Sequence, residues 1–175
     1  MQTREESIIK TAALVFSIAL VLIYTMRIPA AYLSVYNNAD WWHCMTYPLA
    51  HGNVFHLLCN IWFLLIIVFY YKPNASLLIS SYMTAVVFGI IAIQWYTGTQ
   101  IAGLSAVIYA ILGRYALRGK RKDIIRFNLM MAVSMFPSLV IINCSFIAHI
   151  GCYMFSALLS VVVDPIYETT LTIKK

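Results

Sequence analysis

The sequence predicts an all-α fold: a polytopic membrane bundle of six transmembrane helices, forming one membrane domain over residues 1–175. Three observations carry that prediction. Apolar residues make up 62% of the chain and the mean hydropathy is +0.83, whereas a soluble domain holds roughly half apolar residues. Charged residues make up 10%, against roughly a quarter in soluble domains. They gather at a few points, and between those points lie six apolar runs, at residues 8–26, 54–71, 77–97, 103–118, 124–141 and 147–163. Each is close to the about 20 residues, at about 1.5 Å apiece, that cross a hydrocarbon core.

Basic residues set the orientation, because cytoplasmic loops hold the excess of Lys and Arg. Arg4 and Lys10 precede the first run, and Lys72 separates the second from the third. Arg114, Arg118, Lys120, Arg121, Lys122 and Arg126 flank the link between the fourth and fifth, and Lys174 and Lys175 end the chain. Arg27 falls on the opposite side. Both termini are therefore expected in the cytoplasm, and a bacterial inner membrane is the expected setting. The net charge of +6 follows from this sorting and points to the lipid bilayer, through its anionic headgroups, rather than to nucleic acid.

The first span resembles a secretory signal in hydropathy, but Arg27-Ile28-Pro29 is a poor cleavage site, so the span is expected to stay in the mature protein. The second span is entered through His51-Gly52-Asn53. It carries His56 and Asn60, which are four residues apart and therefore share a helix face. Such a pair serves equally as interhelical hydrogen-bonding glue or as two donors aimed at one spot. The third span is read from its apolar length alone. The fourth begins Gly103-Leu104-Ser105-Ala106, placing Ser105 in a first turn whose backbone N–H groups lack intrahelical partners and whose dipole favours negative charge. A serine there is most often a cap or a packing residue. Tyr109 lies one turn deeper on the same face.

The fifth span carries the bulky residues Phe127, Met130, Met131, Met135 and Phe136, and Pro137 is expected to end its helix or loosen the segment after it. These side chains read either as a mobile lateral gate or as a plain lipid-facing surface. The sixth begins Ala148-His149-Ile150-Gly151. Intramembrane histidine is expensive, and each one is a site hypothesis until explained. Cys44, Cys59, Cys144 and Cys152 show no CxxC spacing and read as packing thiols.

Asn60, Ser105 and His149 all fall near the non-cytoplasmic ends of their spans, about 10 Å deep by helix rise, so they are expected to converge. Serine beside histidine makes a nucleophile and a general base, since a near-neutral imidazole can take the hydroxyl proton as oxygen attacks a carbonyl. Asp40 is the one carboxylate on that side and is remote in sequence, which points to a dyad rather than a triad. Asn60, His56 and the N–H of Ser105 are the candidate oxyanion donors. A zinc hydrolase with His51, His56 and His149 as ligands is a rival reading, though no HExxH motif supports it.

Three separated motifs make the chain resemble the rhomboid family of intramembrane serine proteases in its compact six-span form. His51, His56 and Asn60 match the family's span-two pattern. Gly103, Ser105, Ala110 and Gly113 match the span-four pattern, and Ala148-His149 the span-six pattern. The resemblance implies that Ser105 is the nucleophile and His149 the base, that His56 and Asn60 with Ser105 line the oxyanion hole, and that Tyr109, His51 and Gly103 support them. It further implies transmembrane protein substrates and no metal or organic cofactor. A relative that binds membrane helices without cutting them is the alternative; it would be expected to have lost Ser or His. The chain departs from the family pattern at Ala106, Cys152 and Ser156, where small glycine-type contacts are usual, and this implies looser packing between spans four and six. Trp42-His43 stands where the family has Trp-Arg, so the anchoring of the first loop is expected to differ.

Overall fold

A computed structural model describes residues 4–95, 100–117, 120–136 and 146–173, with side chains as far as Val162. Among the described residues every regular element is helical, and there are seven α-helices: α1 Arg4–Thr25, α2 His43–Thr46, α3 Val54–Ile66, α4 Ala75–Trp95, α5 Ser105–Tyr115, α6 Arg121–Met135 and α7 Phe146–Ile173. A π-helical turn, Ile67–Tyr71, extends α3. It ends at Lys72, whose φ of 49° turns the chain sharply before Pro73.

Local chemistry sets the starts of α3 and α4. The side-chain oxygen of Asn53 accepts from the His56 N–H at 2.8 Å, and that of Asn74 accepts from the Leu77 N–H at 2.8 Å. Each satisfies one orphan donor of a first turn. The first turn of α1 is tied to the α3–α4 corner: Glu5 accepts from the Ala75 N–H at 3.2 Å, and Glu6 pairs with Lys72 at 3.5 Å.

Among the described residues three segments are long and apolar enough to cross a membrane, Arg4–Thr25, Val54–Tyr71 and Ala75–Trp95, and Phe146–Val162 is a shorter apolar helix. The fourth and fifth apolar runs give helices of a different kind. α5 has 11 residues, about 16 Å at 1.5 Å each, and every residue from Ser105 to Arg114 is buried. α6 has 15 residues and begins with Arg121, Lys122 and Asp123, three residues ahead of the expected apolar run. The expected end of that run, including Pro137 and the segment to Ser145 with Cys144, lies outside the described residues. Tyr96, Thr97 and Arg118, at the ends of two other expected spans, do so too.

α5 is the centre of the bundle and packs most extensively on α7 and then on α4. Gly113 permits the close approach to α7. A Cβ at that position would strike the Tyr153 carbonyl oxygen and come within 3.0 Å of the Ser156 Cβ. Ala106, Cys152 and Ser156 are all but fully enclosed. At these positions, where looser packing is expected from the sequence, the small side chains are enclosed.

The segment ahead of α5 is fixed by the first loop. Val35 and Ile101 exchange two backbone hydrogen bonds, of 2.9 and 2.8 Å. Ser34 Oγ lies 3.2 Å from Gln100 Oε1. The Gly103 N–H donates to the Tyr47 carbonyl at 2.9 Å, while the buried Tyr47 hydroxyl donates to the Ala85 carbonyl of α4 at 2.8 Å. Tyr47 thus links the start of α5 to α4 through both its backbone and its ring.

Candidate active site

Ser105 is the first residue of α5, and His149 lies in the first turn of α7. Both are buried. His149 Nε2 lies 2.8 Å from Ser105 Oγ, within the range of a good hydrogen bond. With Nε2 as acceptor, the neutral ring carries its proton on Nδ1. That Nδ1 is buried and has no hydrogen-bond partner among the described residues, and no carboxylate among them orients the imidazole. Asp40 is exposed in the first loop, where its backbone carbonyl accepts from the His43 N–H.

An aromatic ring packs against the imidazole. Tyr109 lies over His149 with ring centroids 4.6 Å apart and a tilt of 35°. Its hydroxyl donates to the Ser134 carbonyl of α6 at 3.1 Å and lies 3.2 Å from Ser134 Oγ, while Ser134 Oγ–H donates to the Met131 carbonyl at 2.8 Å.

The third group of residues meets at Gly103, two positions before Ser105. Gly103 has φ +111°, a conformation open to glycine and strained for other residues. A Cβ there would lie 2.6 Å from His56 Cε1, 2.8 Å from His56 Nε2 and 3.3 Å from Asn60 Nδ2. The backbone therefore passes directly against both α3 side chains, and Gly103 is what permits it. Asn60 is buried and its Nδ2 has no hydrogen-bond partner among the described residues. A buried amide donor left unmade costs about 1–3 kcal/mol. The Ser105 N–H, in the first turn of α5, also lacks an intrahelical acceptor by position.

His51 stands behind this group. Its ring lies edge-on to His56 with centroids 5.2 Å apart, and its Nδ1 is 3.2 Å from the Leu49 carbonyl. Burial first, and then the neighbouring His56, lowers its pKa to about 4, so it is uncharged at neutral pH. Among the described residues no group of three His, Cys, Asp or Glu side chains is placed to hold a metal ion. The zinc reading through His51, His56 and His149 thus has no geometry to rest on. His43, at the Trp42-His43 departure from the family pattern, is not at the site: it is buried in the first loop, stacked on Trp42 at 3.7 Å and edge-on to Tyr36 at 5.4 Å. Cys44, Cys59 and Cys152 are free thiols.

Several contributors escaped the sequence reading. Tyr47, Ser134, Asn128 and Tyr153 each connect elements far apart in the chain, and an isolated polar residue in an apolar run does not reveal its partner. Asn53 is the exception, since an asparagine just before an apolar helix is a cap signal.

A sequence model of the Rhomboid domain matches residues 38–165, the region that holds every residue of the site. Among curated proteins, the rhomboid protease GlpG of Pectobacterium atrosepticum is 34% identical over 84 residues, covering 46% of this chain and 30% of that protein. The match thus spans about a third of the relative's length.

Proposed function

The chain belongs to the rhomboid family of membrane proteins, and from that premise we propose that it is an intramembrane serine protease that hydrolyses peptide bonds in or near the transmembrane helices of membrane protein substrates. The observation that carries this reading is the 2.8 Å contact between His149 Nε2 and Ser105 Oγ at the start of a buried helix. Six spans, with α5 and α6 as the fourth and fifth, and both termini in the cytoplasm of a bacterial inner-membrane protein, belong to the same proposal.

In this reading Ser105 Oγ attacks the scissile carbonyl while its proton passes to His149 Nε2. The electron pair moves onto the carbonyl oxygen, and the oxyanion is met by Asn60 Nδ2, the His56 ring and the Ser105 N–H. His149 then returns the proton to the leaving amine as the C–N bond breaks, leaving an acyl group on Ser105. Water attacks the ester, giving its proton to His149, and the carboxylic acid is released with Ser105 restored. Gly103 keeps the backbone close to His56 and Asn60, His51 backs the His56 ring, and Tyr109 holds the imidazole in plane. No metal or organic cofactor enters these steps.

A fluorophosphonate probe tests the assignment. Folded wild-type protein in detergent is expected to label covalently at Ser105, and labelling is expected to vanish in Ser105→Ala and His149→Ala. If folded wild type does not label, the reading fails in favour of a relative that binds membrane helices without cutting them.

A further inference from the structure

Among the described residues the imidazole of His149 has no acceptor on Nδ1, so the task a carboxylate performs in a triad, fixing the ring's orientation, falls to the Tyr109 ring. The tip of that ring is held by α6, through Ser134. What holds α6 therefore matters to the dyad. α6 is sparsely packed: its buried side chains are Met131 and Met135, while Ile125, Leu129, Met130, Val133 and Phe136 are exposed.

Asn128 is the polar attachment that compensates. Its amide donates to the Ala116 carbonyl at the end of α5, at 2.7 Å, and to the Ile124 carbonyl one turn earlier in α6, at 2.8 Å. Its Oδ1 accepts from the Tyr153 hydroxyl of α7 at 2.7 Å. One side chain thus ties the middle of α6 to the end of α5 and to α7. Tyr153 follows His149 by four residues and shares its face of α7. Ser134 follows Asn128 by six residues, about 9 Å along α6. The contacts close a ring that starts and ends at His149: its own helix to Tyr153, across to Asn128, along α6 to Ser134, across to the Tyr109 hydroxyl, and back through the Tyr109 ring.

We infer that Asn128 and Tyr153 are positioning residues for the Ser105–His149 dyad, setting through α6 the place of the Tyr109 hydroxyl and hence the orientation of the His149 ring. The inference rests on the protease reading above. Neither side chain is hydrogen-bonded to Ser105 or His149.

The test uses the full chain in detergent, with Tyr153→Phe, which removes one hydroxyl, Asn128→Leu, which removes all three bonds at similar volume, and the double variant. The saturating rate of Ser105 labelling by the fluorophosphonate is expected to fall about fivefold in each single variant, the scale of a lost buried hydrogen bond. The probe concentration giving half the maximal rate is expected to stay the same, and the double variant to be no slower than Asn128→Leu. Ring nitrogen-15 NMR of histidine-labelled protein supplies a readout independent of activity: the His149 signal, assigned by its absence in His149→Ala, is expected to broaden or split in both single variants. Wild-type labelling rates with a single sharp His149 signal in folded Tyr153→Phe and Asn128→Leu would overturn the inference. Multiplying losses in the double variant would overturn it too, by making the two residues separate packing contacts. If wild type itself fails to label, the protease reading falls, and the His149 signal still decides whether Asn128 and Tyr153 orient the ring.

Discussion

The helices α5 and α6 follow each other in the chain, and they are held in opposite ways. α5 is enclosed on every side, with no exposed residue from Ser105 to Arg114 and with Gly113 pressed against the backbone of α7. α6 presents half of its large apolar side chains outward and, among the described residues, is fastened at the polar points Asn128 and Ser134. The contrast teaches where precision is needed. A nucleophile must stay within about half an ångström of its productive position, and a close-packed helix with no room to move supplies that. A helix fastened at two points can yield at one end while the other holds, which under the proposed function would suit the side of substrate entry.

Changes against α5 should therefore cost activity or folding, and changes on the outer face of α6 should not. The largest effect is expected from Asn60→Ala, which faces the start of α5: kcat should fall about 10²–10³-fold, the loss typical of an oxyanion donor, while thermal stability changes little because the amide nitrogen has no partner in the resting protein. A large drop in melting temperature with proportionate loss of activity would make Asn60 structural instead. Next is Gly113→Ala, whose Cβ would meet the Tyr153 carbonyl. Forcing α5 from α7 is expected to cost about 1–3 kcal/mol, read as a lower melting temperature together with slower Ser105 labelling. Gly103→Ala should give a loss of similar or smaller size, about 1–3 kcal/mol of backbone strain, with His56 displaced and activity falling further than stability. The smallest effect, and the one of opposite sign, is expected from Phe136→Ala on α6. Cleavage of a transmembrane substrate should rise about two- to fivefold if access at this end of the helix limits turnover. An unchanged or slower rate in stable protein would remove the functional contrast between the two helices.

Much of this arrangement was legible in the sequence, because a membrane span makes polar residues conspicuous. Ser105, His149, His56 and Asn60 stand out against apolar neighbours, and helical spacing alone puts His56 and Asn60 on one face. The 2.8 Å approach of His149 to Ser105 agrees with their matched places near span ends. Hydropathy cannot report the short extent of α5: a helix wrapped by others on all sides is as apolar as one that crosses lipid, so the run 103–118 does not show that its helix covers Ser105–Tyr115. The first loop was illegible for a different reason. Its fixed points, the Val35–Ile101 bridge and the Tyr47 carbonyl that receives the Gly103 N–H, are backbone contacts between distant segments that no side-chain pattern encodes. The Asn128–Tyr153 pair is intermediate, since both residues are visibly polar but their meeting depends on how α6 is rotated against α7.

The central claim is that Ser105 and His149 act together to cut membrane helices. It is tested most directly by incubating purified wild type, Ser105→Ala and His149→Ala in liposomes with a single-span membrane protein and measuring the cleavage products. Cleavage by wild type alone, with both variants folded, is the predicted result; cleavage that survives in either folded variant, or none by folded wild type with a panel of such substrates, would contradict it.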